Sequence, residues 1–305
     1  MGKIKNYLSL IKFAHTIFAM PFALIGFFLG INYIKQTGHC EPSSIRGWHT
    51  PLFTASNLLF KLFLVILCMV FARSAAMAFN RWLDAGFDRK NPRTAVREIP
   101  SGVIHSGNAL WFVIFNCVAF ILCCWFINLL CFYLSLVALF VILFYSYTKR
   151  FTALCHLVLG IGLSLAPIGA YLAVTGIFAF LPVLFSFTVL FWVSGFDIIY
   201  ALQDEEFDRQ QHLHSIPAAI GKTGALRISE LLHLLSAASV VYAGFYGHFE
   251  LYYRIGTVLF TCLLIYQHLL VKPDDLSKVN MAFFTTNGIA SVIFAGFVIL
   301  DLFLK

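Results

Sequence analysis

Residues 62–94 read LFLVILCMVFARSAAMAFNRWLDAGFDRKNPRT, an apolar run that passes directly into a strongly polar segment. The apolar part, residues 62–79, is nearly as long as the 20 or so apolar residues that a membrane-spanning helix needs. The polar part places Asn80, Asp84 and Asp88 four residues apart. Four basic residues follow at once: Arg89, Lys90, Arg93 and Arg97. The stretch therefore predicts a membrane helix that ends in a site with carboxylate chemistry at the membrane surface.

The composition of the whole chain is that of a membrane protein. Of its 305 residues, 60% are hydrophobic and only 11% are charged, whereas about a quarter of the residues in soluble domains are charged. The net charge of +7 invites comparison with nucleic-acid-binding proteins, but the basic residues are not gathered on a soluble domain. We therefore expect an all-α, polytopic membrane protein, a single domain over residues 1–305, and no nucleic-acid partner.

Nine apolar segments have the length and composition of membrane spans. They lie at residues 13–34, 58–79, 109–128, 130–148, 152–174, 178–199, 226–248, 255–271 and 281–303. The third and fourth join tightly at Asn128–Cys131, and a short turn at Thr175–Gly176 separates the fifth from the sixth. The sequence thus predicts nine transmembrane helices in a single bundle.

Lys and Arg are distributed unequally between the two sides of this bundle. They cluster before the first span, after the second, fourth and eighth, and between the sixth and seventh. The loops and terminus on the opposite side carry four such residues: Lys35, Arg46, Arg254 and Lys305. Because cytoplasmic loops are enriched in Lys and Arg, this asymmetry predicts a cytoplasmic N-terminus.

More than half of the 14 acidic residues lie in or beside two of the loops on this cytoplasmic side. The first set has i, i+4, i+8 spacing and consists of Asn80, Asp84 and Asp88. The second has i, i+3, i+7, i+11 spacing and consists of Asp197, Tyr200, Asp204 and Asp208. On a helix, each spacing places its members on one face, where like charges one turn apart repel.

A bound cation would remove this repulsion. Mg²⁺ prefers oxygen ligands and typically takes one or two carboxylates together with phosphate oxygens and water. Ordinary solvated helix ends would explain one acidic cluster, but two clusters with matching spacing on one side favour a site. We therefore predict a Mg²⁺ site formed by carboxylates of both clusters.

Two basic residues are placed to bind an anion beside these carboxylates. Lys149 lies one turn after Tyr145 at the inner end of the fourth span, and Arg73 lies inside the second span, seven residues before Asn80. An arginine within a span generally serves a function. The neighbouring Arg150 is expected to act only as a topogenic anchor, a role that Lys149 can also fill.

Three other polar residues in the predicted spans are given structural interpretations. His233 and His268 are expected to pack within the bundle rather than to bind a metal, and Asp301 is expected at the membrane interface.

The motifs resemble those of the UbiA-type intramembrane prenyltransferases, and the resemblance extends over nearly the whole chain. That family has a first motif NxxxDxxxD, a YxxxK motif after the fourth span, and a second DxxxD motif preceded by Tyr. They are matched here by Asn80-Asp84-Asp88, by Tyr145-Lys149, and by Tyr200 with Asp204-Asp208. The segments NPRTAVREIPSG and HSIPAAIGK are also similar. The chain departs from the family at Arg81, where Asp is frequent.

The resemblance implies a Mg²⁺-dependent enzyme that transfers a polyprenyl group from polyprenyl diphosphate to an aromatic acid. The segments GFDIIYALQDEEFD and LHSIP are most similar to those of the bacterial 4-hydroxybenzoate polyprenyltransferases, which act in ubiquinone biosynthesis. A hydroxynaphthoate-type acid of menaquinone biosynthesis is the alternative acceptor. The implied location is the bacterial inner membrane, with the active site facing the cytoplasm and the polyprenyl tail between helices, in contact with lipid.

The resemblance also implies roles for individual residues. Asp84, Asp88, Asp204 and Asp208 would hold Mg²⁺, supported by Asn80. Lys149 and Tyr145 would bind diphosphate oxygens, and Arg73 would bind either diphosphate or the acceptor carboxylate. Tyr200 and Asp197 would complete the substrate site. No residue is identified as the base that removes the ring proton.

Three other functions are open to this sequence. An ion-coupled transporter would also use intramembrane carboxylates, but these lie at one membrane face and no paired broken spans are evident. A CDP-alcohol phosphotransferase would carry a single compact Asp-rich motif, which is not found here. Haem-farnesylating or chlorophyll-type members of the same family share the motifs but use other acceptors.

Overall fold

The computed structural model describes residues 3–11, 19–38 and 55–304, and helices form the framework of these ranges. The long helices are α2 (Met20–Thr37), α3 (Ala55–Leu83), α5 (Ser106–Ile127), α6 (Leu129–Thr148), α7 (Cys155–Thr175), α8 (Phe180–Ala201), α10 (Ile216–Tyr246), α11 (Leu251–Leu270) and α12 (Asn287–Leu304). The short helices are α1 (Lys3–Leu10), α4 (Ala85–Lys90) and α9 (Glu205–Gln210). A π-helical turn, Met281–Thr286, leads into α12.

The predicted membrane bundle is confirmed. Within the described residues, eight helical segments are long and apolar enough to cross a membrane, and they correspond to predicted spans two to nine. The predicted first span, residues 13–34, coincides with α2 from residue 20 onward, and α2 packs against α7 and α12. Residues 13–18 of that prediction lie outside the described residues.

Local sequence determines where the helices begin and end. Asn128 separates α5 from α6, because its Oδ1 accepts a hydrogen bond from the Cys131 N–H at 2.7 Å. Gly176 ends α7 with φ of 69°, a left-handed conformation that favours glycine. Helix α10 begins well before the predicted residue 226, because the Ser215 side chain caps its first turn and Pro217 is compatible with that turn. Gly221, with φ of 75°, separates this turn from the rest of α10 by a kink.

Helix α8 lies between α7 and α10 in the interior of the bundle. Its Val189, Trp192 and Ile198 side chains are fully buried. Gly195 permits the close approach of α10, since a Cβ atom there would lie 2.4 Å from the His233 ring. By contrast, Phe115 and other large apolar side chains on the outer faces of α5 and α6 are exposed, as expected for surfaces that contact lipid.

Polar side chains inside the bundle bind one another or the backbone. Nδ1 of His233 and Nε2 of His268 lie 2.8 Å apart and link α10 to α11, which agrees with their predicted packing role. Asp301, expected at the membrane interface, lies near the end of α12. Its buried carboxylate accepts hydrogen bonds from the N–H groups of Glu250 at 2.9 Å and Tyr253 at 3.1 Å, and so caps the first turn of α11.

Candidate active site

A cavity of about 240 Å³ opens where α3, α6 and α8 end and α7 begins. All ten residues that the sequence singles out for the site line it: Arg73, Asn80, Asp84, Asp88, Tyr145, Lys149, Asp197, Tyr200, Asp204 and Asp208. The fold therefore brings together two acidic segments that are more than 100 residues apart in the chain.

The two acidic segments are interrupted helices rather than continuous ones. Asp84, with φ of −90° and ψ of 5°, separates α3 from α4, although Asn80 Nδ2 still donates to Asp84 Oδ2 at 3.2 Å. In the second segment, a 3₁₀ turn over Leu202–Asp204 separates α8 from α9. The single helical face that each spacing predicts is thus only partly present. These breaks allow carboxylates one turn apart to reach different partners.

Each of the four motif aspartates forms an ion pair with a different basic residue. The closest nitrogen–oxygen distances are 2.9 Å for Arg150–Asp84, 2.8 Å for Arg97–Asp88 and 2.7 Å for Lys149–Asp208. Asp204 binds the guanidinium of Arg93 through both carboxylate oxygens. The four cations and four carboxylates thereby offset the repulsion that the sequence spacing would otherwise create.

Lys149 and Arg150 are consecutive in the chain but bind carboxylates of different motifs. Lys149 binds Asp208 of the second motif, whereas Arg150 binds Asp84 of the first. Arg150 also donates to the carbonyl of Leu83 at 3.2 Å and to that of Ser146 at 2.9 Å. The expectation that Arg150 acts only as a topogenic anchor is therefore wrong, because its guanidinium binds the junction between α3 and α4.

Burial and ion pairing shift the pKa values of the site residues in definable directions. Burial raises the pKa of Asp84 above its usual range, although Arg150 and Lys149 oppose that shift. Burial would lower the pKa of Lys149, but the carboxylate of Asp208 outweighs it, so the pKa of Lys149 lies above its ordinary value. Lys149 is therefore a permanent cation at physiological pH.

Several site residues could not be assigned from the sequence. Asn91 Nδ2 donates to Asp204 Oδ1 at 3.1 Å, and Ser215 Oγ donates to Asp208 Oδ2 at 2.8 Å. Asn91 lies in the NPRT segment and Ser215 in the HSIP segment. Both segments resemble those of the family, and this resemblance was the sequence signal that could have pointed to the two residues. Arg93 and Arg97 counted only as basic loop residues, and nothing in the sequence indicated their partners.

Asp197 differs from the four motif aspartates because its partner is a histidine. Asp197 Oδ2 lies 2.7 Å from Nδ1 of His156, a residue in the first turn of α7 that the sequence analysis missed. Both side chains line the cavity. The only sequence signal was a histidine at the start of an otherwise apolar span.

Arg73 connects this cavity to a second, apolar one. The second cavity has a volume of about 360 Å³, lies among α3, α5, α6 and α7, and shares Arg73 and Tyr145 with the first. The Nε atom of Arg73 is buried and has no hydrogen-bond partner among the described residues. Because an unpaired buried polar group costs free energy, this geometry favours an anionic ligand at the junction of the two cavities.

Aromatic rings cover part of the first cavity. The ring centroids of Tyr200 and Phe283 lie 4.2 Å apart, and those of Phe283 and Phe284 lie 4.6 Å apart. Phe283 and Phe284 come from the π-helical turn before α12. Their π faces suit a carbocation, because the face of an aromatic ring attracts positive charge.

The carboxylates are arranged for a metal that binds together with its substrate. No three His, Cys, Asp or Glu side chains among residues 3–11, 19–38 and 55–304 converge closely enough to hold an ion by themselves. Mg²⁺ does not need such a cage, since phosphate oxygens and water usually complete its coordination. Aspartates that line one cavity with Lys149 and Arg93 therefore fit a magnesium–diphosphate complex.

Comparisons with known proteins agree with this geometry. A sequence profile described as the UbiA prenyltransferase family matches residues 49–289. A 4-hydroxybenzoate octaprenyltransferase from Tolumonas auensis is 31% identical over 251 residues, which cover 82% of this chain and 87% of that protein. The apo structure of a UbiA homolog from Aeropyrum pernix K1 has a TM-score of 0.79 and 29% identity, over 94% of this chain and 98% of that one.

A more distant structure shares the fold. It is a UbiA homolog from Archaeoglobus fulgidus bound to GPP and Mg²⁺, with a TM-score of 0.65 and 18% identity, over 97% of this chain and 99% of that one. The family profile covers most of the sequence, and both carboxylate motifs fall within it. The chain therefore belongs to the UbiA prenyltransferase family.

Proposed function

We propose that this protein transfers a polyprenyl group from polyprenyl diphosphate to an aromatic hydroxy acid, 4-hydroxybenzoate, in respiratory quinone biosynthesis. The observation that carries the proposal is one cavity lined by the four motif aspartates and by three of their basic partners, Lys149, Arg93 and Arg97. The name of the 31% identical relative supports this acceptor. Family membership favours an enzyme over an ion-coupled transporter.

In this proposal, donor binding exchanges the partners of the ion pairs. The carboxylates of Asp84, Asp88, Asp204 and Asp208, with Asn80, would hold Mg²⁺, which neutralises negative charge on the departing diphosphate. The cations that leave these carboxylates, foremost Lys149 and Arg93, would then bind diphosphate oxygens. Lys149 lines the cavity and its ammonium remains charged, so it can bind a diphosphate oxygen directly.

The acceptor and the tail would occupy the inner parts of the site. Arg73, with its unpartnered Nε, would bind the acceptor carboxylate, and Tyr145 would lie beside it. The apolar second cavity would take the first isoprene units, whose burial excludes water from the allylic cation. Tyr200 and Phe283 would offer π faces to that cation.

The charge distribution of the loops supports an inner-membrane protein whose cavity opens to the cytoplasm. The same orientation would let the enzyme meet a soluble aromatic acid on one side and a membrane-bound donor on the other.

The proposal is tested by the identity of the product. Membranes that contain the protein are incubated with Mg²⁺, labelled polyprenyl diphosphate and equal amounts of 4-hydroxybenzoate and a hydroxynaphthoate-type acid, and the product is identified by mass. We expect prenylated 4-hydroxybenzoate. Prenylated naphthoate as the main product would assign the protein to menaquinone biosynthesis and overturn the choice of acceptor. Membranes that contain the Asp84→Ala variant are the control for background activity.

A further inference from the structure

The pair formed by His156 and Asp197 has the geometry of an oriented base. It bridges the first turn of α7 and the last part of α8 at the wall of the cavity. The His156 side chain is 4% exposed, whereas that of Asp197 is 23% exposed. One member is thus fixed within the bundle, while the other presents a carboxylate to the space where the substrates would meet.

The contacts of His156 fix the orientation of its ring. The backbone N–H of Ile216 points at Nε2 from 3.4 Å, so the opposite ring nitrogen, Nδ1, is directed at Asp197. Nδ1 donates a hydrogen bond to Asp197 Oδ2 at 2.7 Å. The imidazole therefore holds one carboxylate oxygen of Asp197, a residue that itself lines the cavity.

This environment differs from that of the four motif aspartates, each of which is paired with Lys or Arg. The imidazole of His156 orients the Asp197 carboxylate through one hydrogen bond at 2.7 Å. The other titratable or charged side chains that interact with the pair are Arg73, Tyr145 and Cys155. In the proposed function, Arg73 is engaged by the acceptor carboxylate, which places the acceptor ring next to Asp197.

We propose that Asp197 is the base that takes the ring proton from the acceptor, and that His156 is the positioning residue that directs Asp197 toward it. The inference rests on the proposed function and deepens it. The bond between the allylic carbon and the diphosphate oxygen breaks, and its electron pair leaves with the diphosphate. The ring carbon ortho to the hydroxyl forms the new carbon–carbon bond, and the proton on that carbon passes to Asp197 Oδ1. Water later removes this proton, and the ring recovers its aromaticity.

The test compares three variants with the wild-type enzyme in detergent. Asp197→Asn removes the base, His156→Leu removes the donor to it, and His156→Asn keeps an amide nitrogen close to the position of Nδ1. Transfer is measured with ordinary acceptor and with acceptor deuterated ortho to the hydroxyl. Binding of polyprenyl diphosphate with Mg²⁺ is measured separately, and size-exclusion chromatography verifies that each variant is folded.

We expect Asp197→Asn to lower kcat by roughly 10² to 10⁴, the range of general-base catalysis. His156→Leu should lower kcat by roughly tenfold to a hundredfold, the effect of losing a hydrogen bond to a charged group, and His156→Asn should restore most of it. Donor binding should stay within about twofold of wild type, the scatter expected for distant sites. The deuterium isotope effect should increase in His156→Leu, because proton removal becomes slower than the preceding steps.

Two results would overturn the inference while the proposed function stands. One is wild-type turnover in His156→Leu or Asp197→Asn. The other is a loss in His156→Leu without an increased isotope effect and without rescue by His156→Asn, which would make the histidine purely structural. If the wild-type enzyme prenylates no aromatic acid at all, the proposed function fails and the inference fails with it.

Discussion

Lys149 Nζ lies 2.7 Å from Asp208 Oδ1, so the end of α6 is tied to the second carboxylate motif by an ion pair whose acidic member is fully buried. This contact places the ammonium beside the carboxylates of the cavity, whereas a purely topogenic lysine needs no acidic partner. Lys149 could act as a structural anchor or bind diphosphate. Substitutions distinguish these two roles, because an anchor needs only a positive charge whereas a diphosphate ligand also needs the correct geometry.

Lys149→Ala should lower turnover by roughly tenfold to a hundredfold, because it removes one charge-assisted contact worth about 1.5–3 kcal/mol. Lys149→Arg should also reduce turnover, since a planar guanidinium does not reproduce the geometry of a compact ammonium. The matched control is Arg89→Ala, which removes the same charge from an exposed position on the same side. Steady-state turnover at matched membrane abundance is the measurement. Equal, small effects at positions 149 and 89 would reduce Lys149 to an anchor.

The four motif aspartates should be individually required. Asp84→Ala, Asp88→Ala, Asp204→Ala and Asp208→Ala should each remove most turnover, while the protein still inserts because its spans are unchanged. The exposed Glu206, in the same acidic segment as Asp204, is the control, and Glu206→Ala should be close to wild type. Near-normal rates in any two of the aspartate variants at saturating Mg²⁺ would contradict the two-motif site.

The ion pair between Arg150 and Asp84 predicts a specific dependence of the activity on pH. Burial raises the pKa of Asp84. As the pH falls, Asp84 therefore loses its ionised, metal-binding form at a higher pH than an ordinary aspartate does. Arg150 lowers that pKa, so Arg150→Ala should shift the acidic loss of activity to higher pH and increase the Mg²⁺ concentration needed. The measurement is the apparent Mg²⁺ affinity at several pH values. An unchanged pH profile in Arg150→Ala would show that this ion pair does not tune Asp84.

Topology provides an independent test. On a Cys-free background, cysteines at the exposed positions Arg89 and Gln210 should react with an impermeant thiol reagent from the cytoplasmic side only. A cysteine at Glu250, which is exposed at the opposite end of α10, should react from the outside only. Labelling of positions 89 and 210 from opposite sides would separate the two motifs across the membrane and end the proposal.

The sequence predicts the framework well because the spans are determined by local composition. Apolar length alone located α3 and α5–α8 to within a few residues, and Asn128 and Gly176 marked their turns. The start of α10 was missed, since its first turn depends on the Ser215 cap and is separated from the rest of the helix by Gly221, which has φ of 75°. The partners of Asp301, the N–H groups of Glu250 and Tyr253, could not be predicted because they lie at the start of a different helix.

The candidate site was predictable to the extent that its chemistry follows from spacing. Asp84 and Asp208 belong to motifs whose polar residues recur at helical intervals, so both could be found from the sequence alone. Their partners could not, because Arg150 reaches Asp84 across 66 residues and Arg93 reaches Asp204 across 111. His156 was missed for the same reason, since only the packing of α7 against α8 shows its contact with Asp197.

The most direct test of the account is the product made by the purified protein from polyprenyl diphosphate, 4-hydroxybenzoate and Mg²⁺. The account predicts a product whose mass is that of the acid plus one polyprenyl group minus one hydrogen, carbon-linked ortho to the hydroxyl. The product should disappear when EDTA removes the metal. Release of free polyprenol without any prenylated acid, or formation of the product at an undiminished rate in EDTA, would contradict it.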